Sequence, residues 1–147
     1  MDIPSAPTEL FRRIEASFLR QGMMQYLGAR LVRVEPGLCE VALVHSERVV
    51  QQQGGFHGGA MGALADIAGG YAALTLAAGD SEVTTVEYKI NFLASFTDGE
   101  LRAIGRVARN GKRIVVTTAE VLHLAADGKQ SPCALMQQTI VPVPKTY

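Results

Sequence analysis

The 147-residue chain predicts an α+β fold in which an antiparallel β-sheet wraps around one long central α-helix, with an additional N-terminal helix. Three observations carry that prediction. From Gly58 to Gly79 the residues are almost all apolar or small, with Ala, Leu, Met and Ile at helical density, as a helix buried on every side requires. Around this run lie segments of period two, the pattern of half-buried strands. Turn dipeptides, among them Pro36-Gly37, Asn110-Gly111 and Asp127-Gly128, separate those segments at hairpin spacing. Length and 48% hydrophobic content fit one domain over 1–147, with 1–21 as an N-terminal helical segment.

The elements follow in order. Ser5 or Thr8 can cap a first helix in which Leu10, Ile14 and Phe18 recur every four residues while Arg12, Arg13 and Arg20 face elsewhere. Ala29 to Glu35 and Leu38 to His45 make a strand pair about Pro36-Gly37. Glu47 to His57 is a polar, glycine-rich loop leading into the central helix. After Gly79-Asp80 the period changes: Val86, Tyr88, Ile90 and Phe92 alternate with Thr85, Glu87, Lys89 and Asn91 in a half-buried strand. Strands then follow over Leu101 to Ala108, Ile114 to Leu124 and Ser131 to Val141.

Zero net charge gives no global field to steer nucleic acid or an anionic membrane, so a polyanionic ligand would need local basic groups. Cys39 and Cys133 sit in apolar strand-like runs and read as buried, inert thiols. His45 and His123 have no acidic or cysteine partner at ligand spacing, and no metal site is expected. Met1 to Gln21 lacks an apolar signal region, which implies a cytoplasmic protein. The run Gly58 to Gly79 is long enough to span a membrane, but Asp66 and its glycine-rich start argue against that.

Asp66 is the only ionisable side chain in the first half of the central helix, and must be paired, neutralised or functional, because an isolated buried charge is very costly. At the helix start, Gly54, Gly55, Gly58 and Gly59 allow close backbone approach, and free N–H groups there attract anionic oxygen. Together these look like an oxyanion site and a carboxylate base or nucleophile. Eight residues of helix, however, separate Gly58 from Asp66 by roughly 12 Å along the axis. The two cannot act on one carbonyl within one chain. Two antiparallel copies of the helix would unite them, which predicts a two-fold dimer with active sites at its interface.

Gly54-x-x-His57-Gly58-Gly59, Leu64-Ala65-Asp66 and Lys89-Ile90-Asn91-Phe92-Leu93 resemble the hotdog-fold acyl-coenzyme A thioesterases of the phenylacetate-pathway (PaaI-type) branch, over the whole chain after the first helix. The resemblance implies hydrolysis of an acyl- or aryl-acyl-CoA to free acid and CoA, with no cofactor beyond the CoA of the substrate. It implies that the Gly58 N–H polarises the thioester carbonyl while Asp66 of the partner subunit acts as nucleophile or as general base on water. Gln51, seven residues before Gly58, matches an Asn or Gln that bonds near the thioester or the water, with Gln52 as its neighbouring alternative. Thr85, or Thr84, matches a Ser or Thr that holds the water. His57 is either a general acid or orienting group, or a structural residue bonding a loop carbonyl. Gly59, Met61 and Ile67 are candidates for the substrate side. Arg106, Arg109, Lys112 and Arg113 either meet the CoA phosphates or form a solvated hairpin tip. Tyr71, Leu74 and Leu76 read as core. The implied assembly is a homodimer, paired into a homotetramer, that engages neither nucleic acid nor membrane. Two other readings stand beside this one, a hotdog dehydratase or hydratase with a paired histidine and acid, and a non-catalytic acyl-CoA binding or sensing module.

Overall fold

A computed structural model describes residues 7–147, so the cap is Thr8, and Ser5 lies outside the described residues. Helices α1 (Glu9–Phe18), α2 (Gly22–Leu27) and α3 (Gly58–Leu74) combine with strands β1 (Arg30–Glu35), β2 (Leu38–Val44), β3 (Ser81–Phe92), β4 (Glu100–Asn110), β5 (Val115–Leu124) and β6 (Gln130–Pro144). The six strands form one antiparallel sheet in the order β1-β2-β4-β5-β6-β3. The sheet wraps α3, which is the hotdog fold. In α1 the Thr8 hydroxyl accepts from Phe11 N–H at 3.0 Å, and Ile14 and Phe18 turn inward, as their spacing requires. Helix α2 was not anticipated. It is too short to show a period, carries one buried residue, Met24, and stops at Gly28, whose φ of 79° only glycine adopts readily.

Helix α3 seats directly on the sheet because β4 offers it no side chain at Gly105: a Cβ there would lie 2.2 Å from the Ala68 carbonyl oxygen. Leu64, Ala65 and Ala68 thereby join Val41, Leu43, Leu101, Val121 and Met136 in one core. The helix ends at Leu74, five residues before the expected Gly79. The Arg13 guanidinium of α1 takes the carbonyls of Leu74 at 3.0 Å, Thr75 at 3.3 Å and Ala77 at 3.2 Å, satisfying the chain end that continued helix would have paired. Leu76 consequently lies beyond the helix and is exposed, not in the core. No helix among the described residues is long and apolar enough to cross a membrane.

Strand β3 is one of the two sheet edges, and its period is broken. A bulge between Thr85 and Glu87 leaves Val86 without a partner, so Thr85 pairs with the buried Ile140 and turns its side chain towards α3 together with Tyr88, Ile90 and Phe92. Unbroken alternation would have put Val86 in that position.

Replacing Arg13 by Met should lower stability by about 1–3 kcal/mol, since charged hydrogen bonds to three helix-end carbonyls are lost. The urea midpoint should fall at unchanged m; an unaltered midpoint would contradict this account of the helix end.

Candidate active site

The loop before α3 is held in shape from several sides. Val50 and Phe56 form an isolated bridge, Gln51 N–H donates to Gly55 O at 2.9 Å, and Phe56 N–H donates to Phe96 O at 3.0 Å. His45 Nε2 donates to Gly54 O at 2.9 Å while its ring packs edge-on against Phe56. The chain then enters α3 at His57, which is the N-cap. His57 Nδ1 accepts from Gly59 N–H at 2.7 Å, which places the neutral ring's proton on Nε2. The Ala60 and Met61 N–H groups both go to the His57 carbonyl. Gly58 N–H alone among these has no acceptor within the described residues. The helix start therefore offers one vacant donor at the positive end of the macrodipole.

Two turns along, Asp66 sits half-buried with its Oδ1 fully engaged. Thr85 Oγ1 donates to it at 2.7 Å, and Gln138 Nε2 donates to the same oxygen. Oδ2 has no partner among the described residues, and Asp66 lines a cleft of about 300 Å³ whose walls include Ile67, Gly70, Tyr71 and Val83. At its far end stand Ser17, Gln21 and Glu82; burial pushes the Tyr71 phenol up, against the pull of its bonds to Ser17 and Gln21.

Of the residues expected at the site, Asp66 and Thr85 are in direct contact, and Thr84 faces the cleft without touching Asp66. Gly58, Gly59 and His57 lie at the other end of the half-helix, as does Gln51, whose side-chain oxygen accepts from Gln53 N–H. No contact joins Gln51 or Gly58 to Asp66 within the chain. Met61 is in the core, 4% exposed, while Ile67 does reach the cleft. Arg106, Arg109, Lys112 and Arg113 are all exposed about the β4–β5 hairpin, without ion pairs among the described residues, beside the C-terminal end of α3. His123 stacks on Phe96 and donates to Asp98 O at 2.9 Å. No three His, Cys, Asp or Glu side chains among the described residues converge as metal ligands.

Sequence reading missed Gln138 and Thr117, both buried. A signal was present, since Ala134, Met136, Gln138 and Ile140 share the inward phase of β6, and a glutamine in that phase needs a partner.

The Thioesterase superfamily profile matches residues 53–125, the span that runs from the loop before Gly58 through Asp66 and Thr85. A candidate esterase of Saccharolobus solfataricus is 32% identical over 121 residues, covering 82% of this chain and 80% of its own length. This chain belongs to the thioesterase superfamily. A thioesterase family protein from Silicibacter pomeroyi superposes with a TM-score of 0.86 at 32% identity, over 92% of this chain and 98% of that one. The E. coli PaaI protein from the phenylacetic acid degradation operon shares the fold, with a TM-score of 0.81 at 21% identity over 93% of this chain and 95% of its own.

In this chain both cysteines are buried, and desolvation pushes the Cys39 thiol up to about 12 and the Cys133 thiol up to about 11. Since the thiolate is the reactive form, native protein at about pH 8 should leave a disulfide reagent untouched, and both thiols should titrate in concentrated guanidinium chloride. Rapid native reaction would contradict the burial.

Proposed function

We propose that the protein hydrolyses acyl- or aryl-acyl-CoA thioesters as a PaaI-type hotdog hydrolase whose site is completed by a second copy of the chain. The observation that carries this is the split between the vacant Gly58 N–H and the engaged Asp66, separated by two turns of one helix. β3 supports the way they are united. Its outer edge is unpaired among the described residues, its Phe92 end lies over Gly58, and its Thr85 end holds Asp66. Antiparallel pairing of two such edges sets the Phe92 end of each strand beside the Thr85 end of the other, and with it Gly58 beside the partner's Asp66. Val86, Phe92 and Leu93, each more than half exposed in one chain, would be covered there.

In that assembly the Gly58 N–H takes the thioester carbonyl oxygen. Asp66 either removes a proton from water as the water oxygen bonds the carbonyl carbon, or attacks that carbon itself to give an anhydride that water then opens. The carbon–sulfur bond breaks as the tetrahedral centre collapses, and CoA leaves as a thiolate, a leaving group good enough to need no Lewis acid. Gln51, on the loop that leads to Gly58, and Thr85 orient the reactants, and the exposed Arg109, Lys112 and Arg113 meet the CoA phosphates. His57 acts through structure, capping Gly59 so that only Gly58 presents its N–H.

Thiol release from a panel of acetyl, octanoyl, palmitoyl, phenylacetyl and hydroxybenzoyl CoA tests this. Asp66→Asn should abolish turnover with the dimer intact, and full activity in that variant would sink the mechanism. Gly58 allows a cleaner substitution, because it is the first residue of α3, where proline is tolerated but carries no N–H. Gly58→Ala and Gly58→Pro both press on Phe92, but only the second loses the donor. Gly58→Pro should be slower than Gly58→Ala by roughly 10²–10³-fold in kcat; equal rates would remove the oxyanion role.

A further inference from the structure

We infer that Gln138, oriented by Thr117, is a positioning residue that aims the Asp66 carboxylate; this rests on the hydrolase reading above. The Gln138 side chain is 1% exposed and that of Thr117 is fully buried, beneath α3 on neighbouring strands β6 and β5. The Thr117 hydroxyl donates to Gln138 Oε1 at 2.7 Å. Gln138 Nε2 points the other way, to Asp66 Oδ1, to Thr85 Oγ1 at 2.9 Å and to the Asp66 carbonyl at 3.2 Å. An ionised carboxylate only accepts, so the amide must turn its nitrogen to Asp66, and the Thr117 donor at the opposite end fixes the same orientation. Both ends agree, and no buried side-chain nitrogen or oxygen among the described residues is left unpaired.

The helix is shaped to admit this amide. Three residues past Asp66 stands Gly69, where a Cβ would meet Gln138 Oε1 at 2.1 Å and Thr117 Oγ1 at 2.7 Å. A glycine in mid-helix costs about 1 kcal/mol against alanine, and here its absence of a side chain is what gives the amide its place. Two donors on Oδ1, from Thr85 and Gln138, pin the carboxylate plane and leave Oδ2 facing the cleft. The chain thus commits one oxygen to support and leaves the other for water or the thioester carbon.

Four variants test this in the thiol-release assay, with Asp66→Asn as reference. Gln138→Leu and the near-isosteric Gln138→Glu should each lose roughly 30- to 100-fold in kcat, with KM within about threefold, because the carboxylate is displaced while the substrate surface is unchanged. Gln138→Leu should cost nothing further in whatever residual turnover the Asp66→Asn protein retains. Thr117→Val should lose less than either Gln138 variant, since it frees the amide to turn without removing it. Gln138→Glu also sets a carboxylate against Asp66. The pair then shares a proton, and the acid limb of its kcat profile should move to higher pH. Gln138→Leu removes a donor from the ionised carboxylate and should move the acid limb the same way, which a role in packing alone would not do. Should Gln138→Leu fail to fold, Gln138→Glu and Thr117→Val carry the test. Wild-type kcat and profile in both Gln138 variants, with Asp66→Asn inactive, would overturn the positioning role and leave the hydrolase reading standing. Full activity in Asp66→Asn would instead overturn the role of Asp66, and no thiol release from the wild-type protein would overturn the hydrolase reading itself.

Discussion

A single carboxylate on an otherwise apolar helix constrains everything around it. Asp66 cannot be carried against an apolar core unpaired, and its Oδ1 lies between α3 and the sheet while only Oδ2 is left at the cleft. The sheet must therefore supply the donors. It does so from two strands on the far side of the order from β1, through Thr85 on β3 and Gln138 on β6, and the Thr117 hydroxyl on β5 secures the second of these. Room for the amide comes from Gly69 on the helix itself. The polar contacts thus tie α3 to three successive strands at the one depth where the helix carries charge.

Much of this was legible in the sequence. Apolar density marked α3, the every-fourth-residue spacing of Leu10, Ile14 and Phe18 marked α1, and dipeptides such as Asn110-Gly111 marked the hairpins. Asp66 stood out because its neighbours could not solvate it, and the glycines before it because they cluster at a helix start. The misreadings have physical causes. The end of α3 is set by Arg13, which lies 61 residues away from Leu74 in the chain, and no local pattern announces a cap from such a distance. Helix α2 is shorter than two turns and shows no period. The bulge in β3 is the most instructive case. Strict alternation puts Val86 in phase with Tyr88 and Phe92, whereas the observed register gives that position to Thr85, and only then can its hydroxyl reach Asp66.

The start of the helix shows a different economy of donors. His57 removes one N–H from competition and its carbonyl removes two more, so Gly58 presents the one vacancy at this helix start among the described residues. The loop that delivers it is fixed by His45 and by the Phe96 carbonyl, both from outside the loop. A donor held so firmly needs little reorganisation when negative charge develops beside it, which is where such sites gain most of their effect. Under the proposed assembly each half of the chemistry is preorganised on its own protomer, and pairing of β3 edges brings the halves together.

Co-expression of equal amounts of Asp66→Ala and Gly58→Pro chains tests that composite site most directly. Each variant alone should be inactive. If the Gly58 donor and the Asp66 carboxylate come from different copies, every mixed dimer regains one intact site, and with half the dimers mixed the preparation should recover about a quarter of wild-type activity. Mixed dimers that form in the expected proportion and yet show no recovery would contradict a shared site.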